Sequence, residues 1–597
     1  MQPEPGEAGR VSRHSKDTND AAVGEVHEPP LRQTGRDQPV VEAHISPLRH
    51  ADPDPTVGEA HEPPLRGAKV QRGGGRSASA SVDPKVLAAA DKRFIWHPFT
   101  PMQEWEKGEP LIIEAAKGSY LRDISGRAYL DGVSSLWTNI HGHRRREIDR
   151  AILRQVRQVS HSTLLGLANV PSILLAEKLV GIAPPGLSRL FYSDNGSTAV
   201  EVALKMAFQY WQQVSPEGRA KTRFISFKNG YHGDTIGAVG VGGISLFHGL
   251  YRPLLMDSIQ VESAYCYRCP VCNDRMAPPH LEAKGWGDTP QSPRPGGAGL
   301  APTHLDVLVW GDTPRSPQPG GRPSPEPPRS SFPVPLPCEN CRLACLNNLE
   351  AALKAQHRSV AAVIIEPLVQ AAGGMLVSPP GYLSRVRELC TRYRVLMIAD
   401  EVAVGFGRTG RMFACEHEEI RPDLLCLAKG ITGGYLPLAA TLATEEVYQA
   451  FLGQPHEDRT FFHGHTYTGN PLACAAGLAS LEVFDQDRTL ERLQGKIVQM
   501  ERGLRRFWEL PHVGDIRQKG FMVGIELVAD RSTKAPYPPE VRMGARVALE
   551  ARPRGAILRP LGDVVVLVPP LSIKKREMDR LLEITYESIA AATGSIP

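Results

Sequence analysis

Two stretches decide the fold, VLMIADEVAVGFGRTG at residues 395–410 and LLCLAKGITGGYLP at residues 424–437. Each begins with a short apolar run that predicts a buried strand, and each run leads into a charged residue, Asp400 in the first and Lys429 in the second. Because ligands bind beyond the carboxyl ends of the strands in a parallel sheet, the pattern predicts a site that contains both residues.

A lysine and an aspartate in these positions are the pair that an enzyme needs to hold pyridoxal phosphate. The lysine amine forms a Schiff base with the cofactor aldehyde, and the carboxylate keeps the pyridinium nitrogen protonated, so that the ring can accept electrons from a carbanion. The glycines at 405, 407 and 410 formally match G-x-G-x-x-G. The acidic residues at the strand end and the turns that follow argue against a dinucleotide site.

Strands and helices alternate around this pair. RLFYSDNG, TRFISFKNGYHG and AAVIIEPLV predict further strands, and STAVEVALKMAFQYWQQ predicts a helix that begins near Ser197. The alternation predicts an α/β fold with a mostly parallel sheet sandwiched by helices. Beyond about residue 480, an amphipathic helix and the strands MVGIELV and VVVLVPP predict a smaller α+β lobe.

Further motifs carry groups suited to a phosphate, a ring or a carboxylate. Gly196 lets the backbone approach a ligand, and the helix opened by Ser197 favours an anion, although Ser197 could be a plain N-cap. Tyr231 could cover a flat ring or be an ordinary packed tyrosine. Thr466 could donate to a phosphate. Arg559 suits bidentate capture of a carboxylate, with a surface arginine as the alternative.

As a set, the motifs resemble those of the class III pyridoxal-phosphate aminotransferases: IWHPFTPM, DGVSSLWTNIHGH, DNGSTAVE, NGYHGDT, ADEVAVGFGRTG, LAKGITGG, HGHTYTGNPLACAA and ILRPLGD. HPFTPM and the SSLW–HGH stretch resemble more narrowly the members that act in biotin biosynthesis. The resemblance covers residues 93–590 apart from a central insertion. It implies a fold-type I transferase with a large lobe at about 151–479 and a small lobe made from about 93–150 and 480–590.

The resemblance also implies a role for each motif residue. Lys429 is the Schiff-base lysine and proton carrier, Asp400 pairs with the pyridine nitrogen, and Tyr231 contacts the ring and the substrate. Glu366 is a supporting residue. The residues implied for the phosphate are Gly196, Ser197, His465 and Thr466, the last two from the other subunit of a homodimer. The residues implied for the substrate pocket are Phe99, Leu136, Trp137, Tyr231, Gly464, Arg559 and Arg408.

The reaction implied is amino transfer to 8-amino-7-oxononanoate, which yields 7,8-diaminononanoate by a ping-pong scheme through pyridoxamine phosphate. The expected donor is S-adenosylmethionine. Phe99 stands where members that use this donor commonly have tyrosine, so lysine is an alternative donor. A class III enzyme for other omega-amino acids or diamines is the rival interpretation. A non-enzymatic scaffold is disfavoured by the intact Lys429 and Asp400.

Two Pro- and Gly-rich segments, residues 1–80 and 273–337, predict a disordered tail and an insertion loop within the large lobe. Each contains a repeat: GEVHEPPLR at 24–32 recurs as GEAHEPPLR at 58–66, and WGDTPQSPRPGG at 286–297 recurs as WGDTPRSPQPGG at 310–321. Six cysteines flank the insertion, namely Cys266, Cys269, Cys272, Cys338, Cys341 and Cys345. Their spacing suits a metal clip or a set of reduced thiols, and no metal is assigned.

The bulk composition excludes other classes of function. A net charge of +4 is small for 597 residues and gives no argument for a nucleic-acid partner. No run of 18 apolar residues predicts a membrane span, and the N-terminus has no apolar core of a secretory signal. These features predict a cytoplasmic enzyme with small-molecule substrates.

Overall fold

The computed structural model describes residues 83–269 and 343–594. The predicted tail, the insertion with its repeats, and Cys272, Cys338 and Cys341 lie outside these residues.

A seven-stranded sheet forms the centre of the larger part of the fold. Its strands lie in the order Leu187–Ser193, Ala439–Thr444, Leu424–Leu427, Leu396–Asp400, Val360–Ile365, Arg223–Phe227 and Ser258–Val261. Ala439–Thr444 is antiparallel to both neighbours, and the other adjacent pairs are parallel. The predicted strands and the mostly parallel sheet are confirmed.

The central strands are buried on both faces. Every residue of Val360–Ile365, Leu396–Asp400 and Leu424–Leu427 is buried. Successive side chains of one strand point to opposite faces, and accordingly Val363 and Ile364 belong to two separate apolar cores. Helices supply the other side of each core, as an apolar parallel sheet requires. They are Val170–Ile182, Gly196–Val214, Asn347–Gln356, Tyr382–Arg392 and Pro471–Gln486.

Two four-stranded sheets form the rest of the fold. One contains Ile113–Lys117, Tyr120–Asp123, Ala128–Asp131 and Ala556–Ile557, and the other contains Val513–Lys519, Met522–Leu527, Val564–Leu567 and Arg559–Leu561. The parallel pairing of Ala556–Ile557 with Ala128–Asp131 joins segments from both ends of the described chain. The predicted α/β fold is therefore found together with smaller α+β elements, whereas the lobe boundaries near residues 150 and 480 stay a prediction.

The remaining helices and a short two-stranded ribbon complete the architecture. The ribbon pairs Val369–Gln370 with Leu376–Val377. The helices are Pro84–Phe94, Met102–Lys107, Ser134–Trp137, Arg146–Val156, Ile236–Gly240, Ser245–His248, Glu445–Gln449, Thr489–Leu504, Met543–Arg554 and Lys575–Gly594. None of the helices in the described ranges combines the length and the apolar character that crossing a bilayer would need.

Candidate active site

Three parallel strands of the large sheet end at one edge and bring Glu366, Asp400 and Lys429 together. The three residues line a cavity of about 430 Å³. Four further residues predicted from sequence line the same cavity: Trp137, Gly196, Ser197 and Tyr231. Residues from six separate motifs thus meet where a parallel sheet places its ligand.

Asp400 is held in a fixed orientation at the bottom of this cavity. The imidazole Nδ1 of His232 lies 2.7 Å from Asp400 Oδ2, and the backbone N–H of Val402 donates to Oδ1 at 3.1 Å. Both the imidazole and the carboxylate are almost completely buried. A buried carboxylate held in this way can pair with one cationic N–H of a bound ring.

His232 is a functional candidate that the sequence reasoning missed. It follows Tyr231 directly in the motif NGYHGDT, in the turn after Arg223–Phe227. That strand is parallel to Val360–Ile365, so its carboxyl end lies at the same edge of the sheet as Asp400. Strand direction was therefore the signal that could have identified this histidine.

Lys429 follows the strand Leu424–Leu427 and lies partly buried beside an aromatic ring. Its Nζ lies 4.8 Å from the centroid of the Trp137 ring. Burial lowers the pKa of the Lys429 amine, although the charges of Asp400 and Glu366 oppose this shift. Its backbone φ of 44° is one that residues other than glycine rarely adopt and that is found at functional sites. A buried amine with a lowered pKa suits a nucleophile or a base.

Glu366 joins two parts of the cavity wall. Its Oε1 accepts the backbone N–H of Tyr231 at 3.0 Å, and its Oε2 accepts that of Ala371 at 2.9 Å. Burial raises the pKa of Glu366 to about 7. The Tyr231 hydroxyl in turn donates to Asp234 at 2.6 Å. The tyrosine is thus fixed at both its backbone and its side chain.

The start of the helix Gly196–Val214 forms an anion cradle. The side chain of Asn195 caps the helix by accepting the N–H of Thr198 at 3.1 Å, which leaves the N–H groups of Gly196 and Ser197 for a ligand. A Cβ atom on Gly196 would lie 2.5 Å from Val402, so only glycine lets the helix start approach the loop after Asp400. Glycine at 196 therefore has a packing reason as well as a binding one.

Ser197 adds a hydroxyl to this cradle. Its Oγ accepts the backbone N–H of Asp234 at 3.1 Å, so the hydroxyl hydrogen can be donated to an anion. The cavity consequently offers an anion cradle, a buried carboxylate and a buried amine. These are the partners that the phosphate, the ring nitrogen and the aldehyde of pyridoxal phosphate require, and the residues fit that cofactor.

Two predicted residues lie just outside the cavity, each held by the same chain. Arg408 is buried and donates to the backbone carbonyls of Pro569 and Asn139, at 2.8 and 2.9 Å. It joins three chain segments instead of lining the substrate pocket. His465 Nδ1 lies 2.7 Å from Asp194 Oδ2, and Asp194 lines the cavity.

The remaining predicted residues are exposed in the single chain. Phe99 and Leu136 are 56% and 42% exposed, and Gly464, Thr466 and Arg559 are exposed as well. None of these five residues lines the cavity. The structure therefore brings together the predicted cofactor residues at the strand ends. The four predicted substrate residues among these five, and the predicted phosphate residue Thr466, lie outside that group.

The cysteine cluster is only partly described. Cys266, Cys269 and Cys345 lie within the described residues and are half-buried. In that part of the chain no group of three or more histidine, cysteine or acidic side chains is arranged to hold a metal ion. Because the other three cysteines lie outside it, the absence of a metal stays a prediction.

Comparison with known proteins identifies the family. A family model described as "Aminotransferase class-III" matches residues 102–278 and 322–589, well over half of the chain. The chain belongs to the class III aminotransferases. It is thus a pyridoxal-phosphate-dependent aminotransferase, and the resemblance inferred from its motifs is confirmed.

Two relatives cover nearly all of the described chain. A protein of Nitratidesulfovibrio vulgaris is 52% identical over 508 residues, which are 85% of this chain and 82% of that protein. A protein of Geobacter sulfurreducens is 50% identical over 513 residues, which are 86% of this chain and 99% of that protein. Both relatives are named adenosylmethionine-8-amino-7-oxononanoate aminotransferase.

Solved structures share the fold to an equal degree but differ in sequence identity. The adenosylmethionine-8-amino-7-oxononanoate aminotransferase of Methanocaldococcus jannaschii has a TM-score of 0.71 and 42% identity, covering 85% of this chain and 99% of its own. An omega-transaminase of Thermomicrobium roseum has the same TM-score of 0.71 with 29% identity, covering 86% and 99%. The TM-score therefore does not distinguish the two kinds of enzyme. The sequence identity is higher with the M. jannaschii enzyme than with the omega-transaminase.

Proposed function

We propose that the enzyme transfers an amino group from S-adenosylmethionine to 8-amino-7-oxononanoate, as the biotin-branch motifs imply. The observation that carries the proposal is the 52% identity over 508 residues with a relative named for this reaction. The buried lysine, carboxylate and anion cradle in one cavity support it, because amino transfer needs all three.

The residues of the chain divide the chemistry between them. Bound pyridoxal phosphate supplies an electron sink for the carbanion that forms at the donor carbon. Lys429 would hold the cofactor, and as a free neutral amine it would take a proton from the donor carbon and return it during transfer. The lowered pKa of Lys429 suits this role, because only the neutral amine can take a proton. Asp400, oriented by His232, keeps the ring nitrogen protonated.

We further propose that the enzyme is a cytoplasmic homodimer in which Thr466 acts on the cofactor phosphate of the other subunit. The segment around Thr466 carries exposed aromatic side chains, with Phe462 79% and Tyr467 61% exposed. Leu165, which is 75% exposed, lies beside Gly464. Exposed apolar side chains near one another support a protein interface at this surface. The buried thiols Cys390, Cys415, Cys426 and Cys474, which form no disulfides, support a reducing compartment.

The donor half-reaction tests the proposed function directly. The visible absorbance of the cofactor is followed in purified holoenzyme after S-adenosylmethionine or lysine is added in separate cuvettes. Loss of the absorbance with S-adenosylmethionine, and its return on addition of 8-amino-7-oxononanoate, would support the proposal. Loss with lysine alone would identify lysine as the donor.

The rival activity has its own signature in the same assay. The omega-transaminase interpretation draws on the T. roseum structure, whose TM-score is as high as that of the M. jannaschii enzyme. An omega-transaminase should lose its absorbance with an omega-amino acid or a diamine and recover it with pyruvate, and 8-amino-7-oxononanoate should have no effect. The Lys429→Ala variant serves as the control in which none of these amines converts the cofactor to its amine form.

A further inference from the structure

Phe247 lies between two residues of the predicted substrate site. It belongs to the short helix Ser245–His248. Its ring centroid lies 5.3 Å from that of Phe99 and 6.2 Å from that of Tyr231, with interplanar angles of 72° and 86°. Edge-to-face pairs at these distances are favourable. The three rings therefore form a continuous row, the aromatic wall, from the cavity-lining Tyr231 out to the exposed Phe99.

Phe99 depends on this contact for its position. The residue is 56% exposed, and its backbone φ of 52° is unfavourable for any residue except glycine. Within the described part of the chain, the aromatic ring that packs against Phe99 is that of Phe247. The Phe247 ring packs edge-to-face on the Phe99 ring, so truncation of Phe247 would remove this support from an exposed side chain on a strained backbone.

The same short helix also supports Tyr231 from a second side. The buried imidazole of His248 stacks on the Tyr231 ring, with centroids 6.3 Å apart and an interplanar angle of 13°. A Cβ atom on Gly242 would lie 2.2 Å from His248, so the glycine-rich turn is closely packed against this helix. Because Tyr231 is already fixed by Asp234 and Glu366, Phe247 is expected to matter more for Phe99 than for the tyrosine.

We propose that Phe247 is a specificity-determining residue for the amino donor, because its ring links Phe99 to Tyr231 and so completes the aromatic wall. This proposal rests on the proposed function. S-adenosylmethionine carries a flat adenine ring and a sulfonium cation, and aromatic rings attract both. The acceptor is an aliphatic amino keto acid whose ammonium group aromatic rings also attract, but it has no flat ring. The wall should therefore favour the donor through its adenine, although both substrates react at the same cofactor.

The test compares the two half-reactions of the holoenzyme in the Phe247→Ala variant. In a ping-pong scheme, kcat/KM for each substrate reports its own half-reaction. For S-adenosylmethionine, kcat/KM should fall by about three- to tenfold, the equivalent of one aromatic pair, through a higher KM. For 8-amino-7-oxononanoate, kcat/KM and the cofactor absorbance should stay at the wild-type level.

Two further variants separate specificity from structure. Phe247→Tyr keeps the ring and should restore the wild-type kcat/KM for the donor. Phe208→Ala makes the same truncation at an exposed position of Gly196–Val214, about 18 Å along the helix from Gly196, and should change neither half-reaction. If Phe247→Ala fails to bind the cofactor, Phe247→Leu is measured in its place.

The outcomes distinguish this proposal from the proposed function. If wild-type enzyme does not react with S-adenosylmethionine, the proposed function fails. If wild-type enzyme reacts and the Phe247 variant matches it, or loses both half-reactions equally, the role of Phe247 is overturned. Failure of Phe247→Tyr to restore the donor half-reaction would overturn it as well.

Discussion

The floor and the rim of the catalytic cavity are built in different ways. The floor consists of four cavity-lining residues held by contacts within one chain: His232, Glu366 and Asp400, which are buried, and Lys429, which is partly buried. The rim, as the motifs predict it, consists of five residues that are exposed in one chain and lie outside the cavity: Phe99, Leu136, Gly464, Thr466 and Arg559. The floor residues therefore meet in one chain, whereas the predicted rim residues do not line the cavity.

The difference follows from where the residues lie in the fold. Asp400, Lys429 and Glu366 end or follow parallel strands that pair with one another, so the hydrogen bonds of the sheet fix their mutual positions. The rim residues come from different parts of the fold: Phe99 lies in a loop, Leu136 in the short helix Ser134–Trp137, and Arg559 in a strand of a smaller sheet. Gly464 and Thr466 share the segment before the helix Pro471–Gln486. One sheet therefore positions three of the four floor residues, and it positions none of the rim residues.

Removal of the floor lysine should have the largest effect. Lys429→Ala eliminates both the covalent anchor and the proton carrier, and kcat should fall by about 10⁴-fold, the upper end of what general acid–base catalysis contributes, because the anchor is lost as well. Steady-state kinetics and the cofactor absorbance measure this loss. Lys354→Ala, at an exposed position of Asn347–Gln356, should retain full activity. A Lys429→Ala variant with substantial turnover would contradict the assignment of this lysine.

Asp400→Asn should lower activity while leaving Lys429, the covalent anchor of the cofactor, in place. The substitution leaves the ring nitrogen without its anionic partner, and kcat should fall by roughly 10²- to 10³-fold, as expected when one partner of a buried ion pair, worth about 3–5 kcal/mol, is lost. The matched control is Asp423→Asn, which lies at the opposite end of the neighbouring strand and pairs with Arg387. That variant should keep the wild-type cofactor spectrum even if its stability decreases.

The floor was more predictable from sequence than the rim, for a physical reason. Lys429 and Asp400 could be placed because each follows an apolar run whose end lies at the ligand edge of a parallel sheet. His232 was missed because its contact with Asp400 joins residues 168 positions apart, and only the shared direction of their strands places the two side chains at one edge of the sheet. Arg408 was expected near the substrate, yet its guanidinium binds two backbone carbonyls in the interior.

The rim was harder to predict because its residues follow no common strand edge, and a sequence pattern does not show which separate segments meet in space. The motif around Thr466 predicts a hydroxyl that donates a hydrogen bond to the cofactor phosphate. The sequence does not show whether that phosphate is bound by the same chain or by a second one. Similarly, Phe247 belongs to no motif that was singled out, and its relation to Phe99 becomes visible only as ring geometry.

The pH dependence of stability should report on Glu366 in the floor. Burial raises its pKa from 4.5 to about 7, so the folded chain keeps a proton that the unfolded chain has already released. The favourable contribution of protonated Glu366 is complete below about pH 4.5 and is lost as pH rises towards 7, up to about 3 kcal/mol. Glu366→Gln should lack this decline.

Thermal unfolding of apoenzyme between pH 4.5 and 8 measures the effect. The free energy of unfolding of the wild type, relative to that of Glu366→Gln, should decrease as pH rises. Glu114→Gln, at an exposed strand position, should follow the wild-type curve. Parallel curves for the wild type and Glu366→Gln would show that burial does not perturb this carboxyl.

The smallest effect should arise at the rim, and it can decide whether the rim is shared between subunits. Thr466→Ala should weaken cofactor binding by roughly tenfold, the equivalent of one hydrogen bond to a phosphate. Equilibrium titration of apoenzyme with pyridoxal phosphate measures this, and Thr460→Ala, an exposed threonine in the same segment, should bind as the wild type does.

Mixed dimers of Thr466→Ala and Lys429→Ala chains then identify the subunit on which Thr466 acts. If it acts across the interface, one site of each mixed dimer has both an intact lysine and an intact threonine, because the Lys429→Ala chain supplies Thr466 to the Thr466→Ala chain. Activity at limiting cofactor should then exceed that of either variant alone. If Thr466 serves its own chain, no site is intact and mixing restores nothing, so the rim would have to be completed without a second subunit.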